Sequence, residues 1–308
     1  MNLSCQSCGA QLVVAGNHRT TTCPYCAAPS VVERPPTPDR PAPTFGLGFV
    51  QTPQKARELA RENLLRRSFW APSSVRNASV EELRGIYVPA WLYSGLAESD
   101  FSASIGENYT ETETYTTTEN GKTVTKTRQV TKTEWTSLHG RHTEYVPDVL
   151  VTASSGLPND ELEQIEPFDL RALRRYDDAL VAGWISEDPS LPQEQCLQQA
   201  RAEVTTLLRK RLSAFMPGDS HRNLEYSTRF HQESLVVCLL PVWVLALRHD
   251  PQSPPLRFLV NGQTGKVHGR VPTSWVKVAI AVLLVLLVLG GLYLLLFHGQ
   301  TLPRGRGR

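Results

Sequence analysis

A chain of 308 residues can hold two modest domains, or one domain with appendages. Its formal net charge is +2 with every cysteine counted as neutral, and four thiolates around one Zn2+ would leave it near neutrality, so charge gives no general bias toward nucleic acid or acidic surfaces. Aliphatic residues crowd into one stretch near the C-terminus, which leaves the rest more polar than the 41% hydrophobic content implies, yet adequate for a globular core.

The N-terminus carries Cys5-Gln-Ser-Cys8-Gly9 and Cys23-Pro-Tyr-Cys26, with fourteen residues between the two pairs. Each Cys-x-x-Cys can form a tight knuckle that turns two sulfurs toward one point, and Gly9 supplies permissive backbone after the first. Two facing knuckles give Zn2+ the tetrahedral thiolate shell it prefers. Cys5, Cys8, Cys23 and Cys26 are therefore expected to hold one structural zinc in a ribbon over 1–33. So short a segment buries too little apolar surface to fold unaided, and the metal supplies folding energy. Within the spacer, Gln11–Val14 and Arg19–Thr22 read as short strands around a turn at Gly16-Asn17, and His18 reads as a surface residue. A thioredoxin-type redox pair at Cys23 and Cys26 is the alternative, but no βαβ pattern surrounds it. Arg19 is the one Arg or Lys before Arg34, so the ribbon lacks the cationic face that phosphate binding needs. Met1–Ser7 has neither a basic start nor an apolar run, which predicts a reducing compartment and metal rather than disulfides. Cys196 and Cys238 stand alone in apolar surroundings.

Residues 34–44 form a proline-rich linker, extended and semi-rigid. A first α+β unit is expected over 45–188. It opens with a helix started by Thr52-Pro53, with Ala56, Leu59, Ala60 and Leu64 at helical spacing. From Glu98 to Trp135 the chain is rich in threonine, and Asn120-Gly121 marks a two-residue hairpin turn. That turn sets Thr118 opposite Thr123, Thr116 opposite Thr125, Thr114 opposite Thr127 and Thr110 opposite Thr131. The other face then pairs Glu119 with Lys122, Tyr115 with Lys126, Glu113 with Arg128 and Tyr109 with Lys132. One register yields both a threonine ladder and favourable charge or Tyr–Lys pairs, which predicts a long two-stranded ribbon over 109–135, polar on both faces.

A second α+β unit is expected over 189–274. Its helix runs from about Pro192 to Phe215, capped by Ser190 and Gln193, with Leu197, Ala200, Val204, Leu208, Leu212 and Phe215 as the apolar stripe. Ile86-Tyr-Val-Pro-Ala-Trp-Leu-Tyr93 and Cys238-Leu-Leu-Pro-Val-Trp-Val-Leu245 share an apolar-apolar-Pro-x-Trp-apolar signature, and proline inside a strand implies an edge or a bulge. Leu256 to Gly269 reads as a further hairpin. Val276 to Phe297 is almost wholly aliphatic, with Trp275 and Tyr293 near its ends, and predicts one transmembrane helix over 275–298 followed by a basic tail over 299–308. Flanking Lys and Arg are nearly balanced, so the missing signal peptide and the reduced thiols decide the expected topology: a single-pass cell-membrane protein with its N-terminal bulk in the cytoplasm.

The order of Cys pairs, Gly85-Ile-Tyr-Val-Pro-Ala-Trp91, Leu240-Pro-Val-Trp243 and Asn261-Gly-Gln-Thr-Gly-Lys266 with Gly269 resembles a group of largely uncharacterised bacterial membrane-anchored zinc-ribbon proteins. The resemblance covers most of the chain. It implies zinc binding through Cys5, Cys8, Cys23 and Cys26 and no established activity. Such proteins are sometimes labelled primosomal helicases from the ribbon alone, a label these residues do not support.

Motifs for chemistry are sparse. Gly262-Gln-Thr-Gly-Lys266 lacks the spacing and hydroxyl of a phosphate loop and reads as a β-turn. His139 and His142 read as solvent-facing loop residues, and Asp177-Asp178 and Glu187-Asp188 as surface. The expectation is an α+β, non-enzymatic scaffold or adaptor, with the bilayer contacted through 276–297 and protein partners through the ribbon and body. A membrane-tethered nucleic-acid-binding protein is second, requiring a basic patch assembled in three dimensions. A hydrolase with a dispersed site is third, requiring a cleft that gathers residues such as His139, His142 and Asp148.

Overall fold

A computed structural model of the chain describes residues 2–4, 11–13, 20–22, 29–31, 41–119, 122–249 and 256–298. Cys5, Cys8, Cys23 and Cys26, most of the proline-rich linker, the Asn120-Gly121 turn and the basic tail lie outside the described residues.

The chain begins with β1 (Asn2–Ser4), β2 (Gln11–Val13), β3 (Thr20–Thr22) and β4 (Pro29–Val31), then β5 (Phe45–Gly46), α1 (Pro53–Arg67) and α2 (Ser73–Arg76). Two very long strands follow, β6 (Ser79–Glu119) and β7 (Lys122–Thr152), then α3 (Asn159–Ile165), β8 (Arg174–Arg175), α4 (Asp178–Val181) and β9 (Ile185–Ser186). The chain continues through α5 (Gln193–Phe215), β10 (Ser220–Arg248), β11 (Leu256–Asn261), β12 (Val267–Gly269) and α6 (Trp275–His298). Strands β5 to β12 belong to one eight-stranded sheet, in which β6–β7, β10–β11, β11–β12 and β5–β8 are antiparallel and β5 lies parallel to β10. The architecture is thus a mixed α/β chain with a large sheet and one apolar C-terminal helix. By packing it divides into two compact units: Met1–Leu47, Val88–Asn159 and Leu173–Leu240 form one, and Gly48–Tyr87, Asp160–Ala172 and Pro241–Arg308 the other. These groups interleave along the chain and cut across the sequential division into 45–188 and 189–274.

In the first unit α5 packs on the β6–β7 hairpin. Cys196, Ala200, Val204, Leu208 and Leu212 recur every four residues, so they line one face of the helix, and all are fully buried. The first four meet Trp91, Tyr93 and Ala97 of β6 and Val146 and Val151 of β7. Leu197 is only partly buried and Phe215 stays exposed, so the expected stripe loses its last member. The expected cap also differs: α5 starts after Pro192 with no side-chain cap, because Ser190 Oγ instead accepts the Ser155 N–H at 2.8 Å. Tyr93 OH and the Arg201 guanidinium both donate to the Glu233 carboxylate, at 2.8 and 2.9 Å. Arg201, then Tyr93, hold Glu233 below the usual carboxylate range.

The second unit lays α1 on β11 and β12. Thr52 Oγ1 caps α1 by accepting the Lys55 N–H at 3.2 Å, and Ala56, Ala60 and Leu64 are its buried stripe. Phe49 packs against both Tyr87 and Trp243, and Trp243 Nε1 donates to the Gln51 carbonyl at 2.9 Å. Asn261, fully buried, joins the β11–β12 turn to the loop after α3: its Nδ2 donates to the Ile165 and Pro167 carbonyls at 2.9 and 3.2 Å. Beside it the Glu166 carboxyl has one buried oxygen without a hydrogen-bond partner. Burial, with Glu163 adding like charge, pushes Glu166 up to about 7.

Neither signature proline lies on a sheet edge. Pro89 sits one residue before the β6–β7 ladder begins at Ala90↔Thr152, and Pro241 one residue before the β10–β11 ladder begins at Val242↔Asn261. At such a position no strand N–H is required, while each carbonyl is still used: Pro89 O accepts from Ala153 N at 3.0 Å and Pro241 O from Gly262 N at 2.8 Å.

Two stability outcomes follow from this packing. Leu208→Ala should cost about 2–5 kcal/mol, read by denaturant unfolding of the detergent-solubilised chain, whereas Thr206→Ala on the exposed face of α5 should change it by less than about 0.5 kcal/mol. For Glu166, folded and unfolded states are both protonated below its ordinary value of 4.5; between there and about 7 the folded state alone keeps the proton. Stability from this group is therefore full at low pH, falls as pH rises through that window and levels off above it. Glu166→Gln should raise the midpoint at pH 8 and flatten this slope in a pH series of thermal scans; an unchanged slope would assign the pH dependence to another group.

Candidate functional site

The four cysteines expected to bind zinc lie outside the described residues, but the strands beside them do not. β1 pairs antiparallel with β2 through Asn2↔Val13 and Ser4↔Gln11, and β3 with β4 through Thr20↔Val31 and Thr22↔Pro29. Strands at Gln11–Val13 and Thr20–Thr22 match the expected positions, yet each is paired away from the other. Cys5 and Cys8 therefore fall in the connection of one strand pair, and Cys23 and Cys26 in that of the other. Thr20, itself buried, links β3 to the first unit: its Oγ1 donates to the Trp184 carbonyl and accepts from Ser186 N at 3.0 Å.

The Asn261–Lys266 turn is a structural device. Its N–H groups at Gln263 and Thr264 both donate to Asn261 Oδ1 at 2.9 Å, and Gly265 N donates to the Asn261 carbonyl. Gly265 sits at φ +80°, where a side chain would be strained. The Gln263 side chain brackets Asp169, accepting its N–H at 2.7 Å and donating to its carbonyl at 3.1 Å, while the Lys266 ammonium donates to the Glu166 carbonyl. The donors a phosphate would need at Gln263, Thr264, Gly265 and Lys266 are thus engaged within the protein.

His139, His142 and Asp148 do not converge. All three lie on β7, a strand and not the loop expected, where His139 pairs with Ser102 and His142 with Ser99. At roughly 3.3 Å per residue, His142 and Asp148 stand about 20 Å apart along the strand. His142 is half-buried and packs its ring on Phe215, 5.2 Å between centroids. Asp148 takes a left-handed φ of 62° beside a register shift, a backbone role rather than a chemical one. Asp177 and Asp178 are exposed as expected, with Asp177 capping α4 through the Ala179 N–H, whereas the second acidic pair departs from the surface reading: Asp188 is buried and Glu187 accepts from Ser154 Oγ at 2.8 Å. Among the described residues no cluster of three or more His, Cys, Asp or Glu is arranged to hold a metal.

The threonine-rich ribbon has the expected register throughout, from Glu119↔Lys122 to Tyr109↔Lys132. β10 begins at Ser220, and Asp219 ends its run along β6, donating its N–H to the Gly106 carbonyl and accepting the Asn108 N–H at 2.7 Å. Beyond Asn108 the ribbon is two-stranded, about 40 Å long at the usual strand rise. Arg128 pairs with Glu113 at 3.1 Å, while Lys132 reaches Glu111 and Glu113 rather than Tyr109. Nearer the core, Arg141 and Arg229 both converge on Glu98 and Asp100. Cations here are interleaved with carboxylates instead of forming a single-sign face.

α6 is long and apolar enough to cross a membrane, and none of the candidate span is buried. Its start is tied to Phe69, Trp70 and Ala71, in the connection after α1. Ser274 N donates to the Trp70 carbonyl at 2.6 Å, and the Lys277 ammonium donates to the Phe69 and Ala71 carbonyls at 3.2 and 2.6 Å.

No protein-family model matches the chain, and no solved structure matches it. It is similar to the uncharacterized protein YdjG of Bacillus subtilis (strain 168), with 24% identity over 248 residues. The match covers 77% of this chain and 66% of that protein, so the chain spans less than two thirds of its relative's length.

Proposed function

We propose that the chain is a membrane-anchored zinc-ribbon scaffold. Its α6 lies in the bilayer, Cys5, Cys8, Cys23 and Cys26 hold one structural Zn2+, and the body presents protein-binding surfaces on the cytoplasmic side. The observation that carries this reading is the exposure of α6. Helices α1 and α5 each bury one stripe, whereas every side chain from Val282 to Tyr293 is exposed, and all but Gly290 and Gly291 are aliphatic or Tyr. A helix of 24 residues is about 36 Å long, enough for about 30 Å of hydrocarbon, and its apolar surface is compatible with lipid rather than water. The zinc assignment is supported by the placement of each Cys-x-x-Cys between two paired strands, where a tight connection can turn both sulfurs inward. The adaptor role is supported by the two-stranded ribbon, whose polar faces join no core of their own.

The test is a thiol and metal count on the full chain in detergent, followed by co-purification from membranes. One zinc per chain is expected, with four thiols becoming reactive only after a chelator removes it. Cys196 and Cys238 are buried, with Cys238 pushed up to about 12, so they should react only on denaturation. Cys5→Ser/Cys8→Ser should lose the metal and any ribbon-dependent protein partner while staying in the membrane fraction. Four reactive thiols before chelation, or an absence of zinc, would defeat the metal reading. Co-purified nucleic acid released steeply by salt would replace the adaptor role with the tethered nucleic-acid reading.

A further inference from the structure

At the start of α6 the second unit has a groove of about 370 Å³, walled by Phe69 and Trp70 on one side and by Ile280, Ala281 and Leu284 on the other. Arg76 and Lys277 complete its lining, which contains no acidic residue. Phe69 is 74% exposed, Trp70 43% and Trp275 80%, so three large aromatics meet solvent where the apolar helix begins. Such a patch is costly in water, but aromatics of this kind settle at the headgroup level of a bilayer. The Phe69–Trp70 wall is fixed to the helix by the bonds from Ser274 N and the Lys277 ammonium, which places the wall level with the first turn of α6.

We infer that this groove is a binding site for an anionic phospholipid of the surrounding bilayer. The inference rests on α6 being in the membrane. Ile280, Ala281 and Leu284 lie on successive turns of the same helix face, about 7–13 Å along the axis from Trp275. That is the depth at which the upper acyl chain of a lipid runs. The acyl chain lies along this face beneath Phe69 and Trp70, and the phosphate meets Arg76 and the remaining N–H of Lys277. An apolar slot below and cations at its mouth match an anionic phospholipid better than a zwitterionic one.

The experiment places the full chain in nanodiscs of equal parts phosphatidylcholine and phosphatidylglycerol, extracts it with mild detergent and counts retained lipids by native mass spectrometry. The wild type should retain phosphatidylglycerol over phosphatidylcholine by about fivefold, and Arg76→Gln should bring that ratio to near one. Phe69→Ser/Trp70→Ser should lower the retained count of both lipids. Because these residues are exposed, folding should survive, as checked by an unchanged unfolding midpoint. Equal retention of the two lipids by the wild type, or an unaltered ratio in Arg76→Gln, overturns the site. So does a dimer that the Phe69→Ser/Trp70→Ser variant dissociates without changing its lipid count, since a second copy would then cover the groove. Carbonate extraction separates the two failures: release from membranes defeats the anchor and the lipid site together, whereas retention with no lipid preference defeats the site alone.

Discussion

One extra residue on β7 decides what the first unit can pack. Opposed residues of an antiparallel pair share a face, and the β6–β7 register runs unbroken from Glu119↔Lys122 to Gly95↔Val146 before shifting to Tyr93↔Val149. Val146 and Val151 are five apart and would point to opposite faces of a continuous strand. The shift turns both toward the face of Gly95 and Trp91, where α5 lies. The added residue is accommodated at Pro147-Asp148: Asp148 tolerates its left-handed φ of 62° and donates its N–H to Ser94 Oγ at 3.2 Å, while Pro147 has no N–H to satisfy. Without this bulge the core formed by Trp91, Val146, Val151 and α5 could not close on one side.

That bulge also marks a boundary of what sequence can reveal. Val146-Pro-Asp148 carries the usual signal of proline within a strand pattern, but Asp148 reads equally well as a carboxylate available for chemistry. Helices were legible through their stripes: Ala56, Ala60 and Leu64 in α1, and Ala200, Val204, Leu208 and Leu212 in α5, are buried as their spacing predicts. Their partners were not. Periodicity reports which face is covered and says nothing about what covers it, and here α1 packs on strands nearly 200 residues later while α5 packs on β6 and β7, which precede it, and on residues of β10, which follows. The Pro-x-Trp repeat was visible as a signature, and its meaning is a shared hydrogen bond: each proline carbonyl takes an N–H across the start of a new ladder.

The ribbon shows the opposite balance. Burial cannot choose its register, because neither face is covered, so the turn and the cross-strand complementarity must do so. Those are local properties, and the pairing of Thr114 with Thr127 and Glu113 with Arg128 follows from them. Lys132 departs from its expected partner because a long side chain reaches diagonal positions as well as the one opposite; it sits between Glu111 and Glu113. Exposed pairs of this kind contribute little individually. The backbone ladder holds the ribbon, and the side chains select its alignment.

The two ends of the chain differ in the same way. The four-thiol site proposed for the two Cys-x-x-Cys pairs rests on spacing that is local in sequence and can be read without any knowledge of the fold. The groove beside α6 cannot be, since Phe69 and Lys277 are separated by most of the chain and neither is distinctive alone. They are brought together in steps: α1 buries its stripe on β11 and β12, Arg67 at its end donates to the Gly269 carbonyl at 3.0 Å, and Lys277 then closes on the Phe69 and Ala71 carbonyls. Lys277, which interrupts an otherwise apolar segment, thereby acquires a structural reason for its position. Its charge stays at the first turn of the helix, bonded to backbone, and the aromatic residues it holds in place lie where the apolar surface of α6 begins.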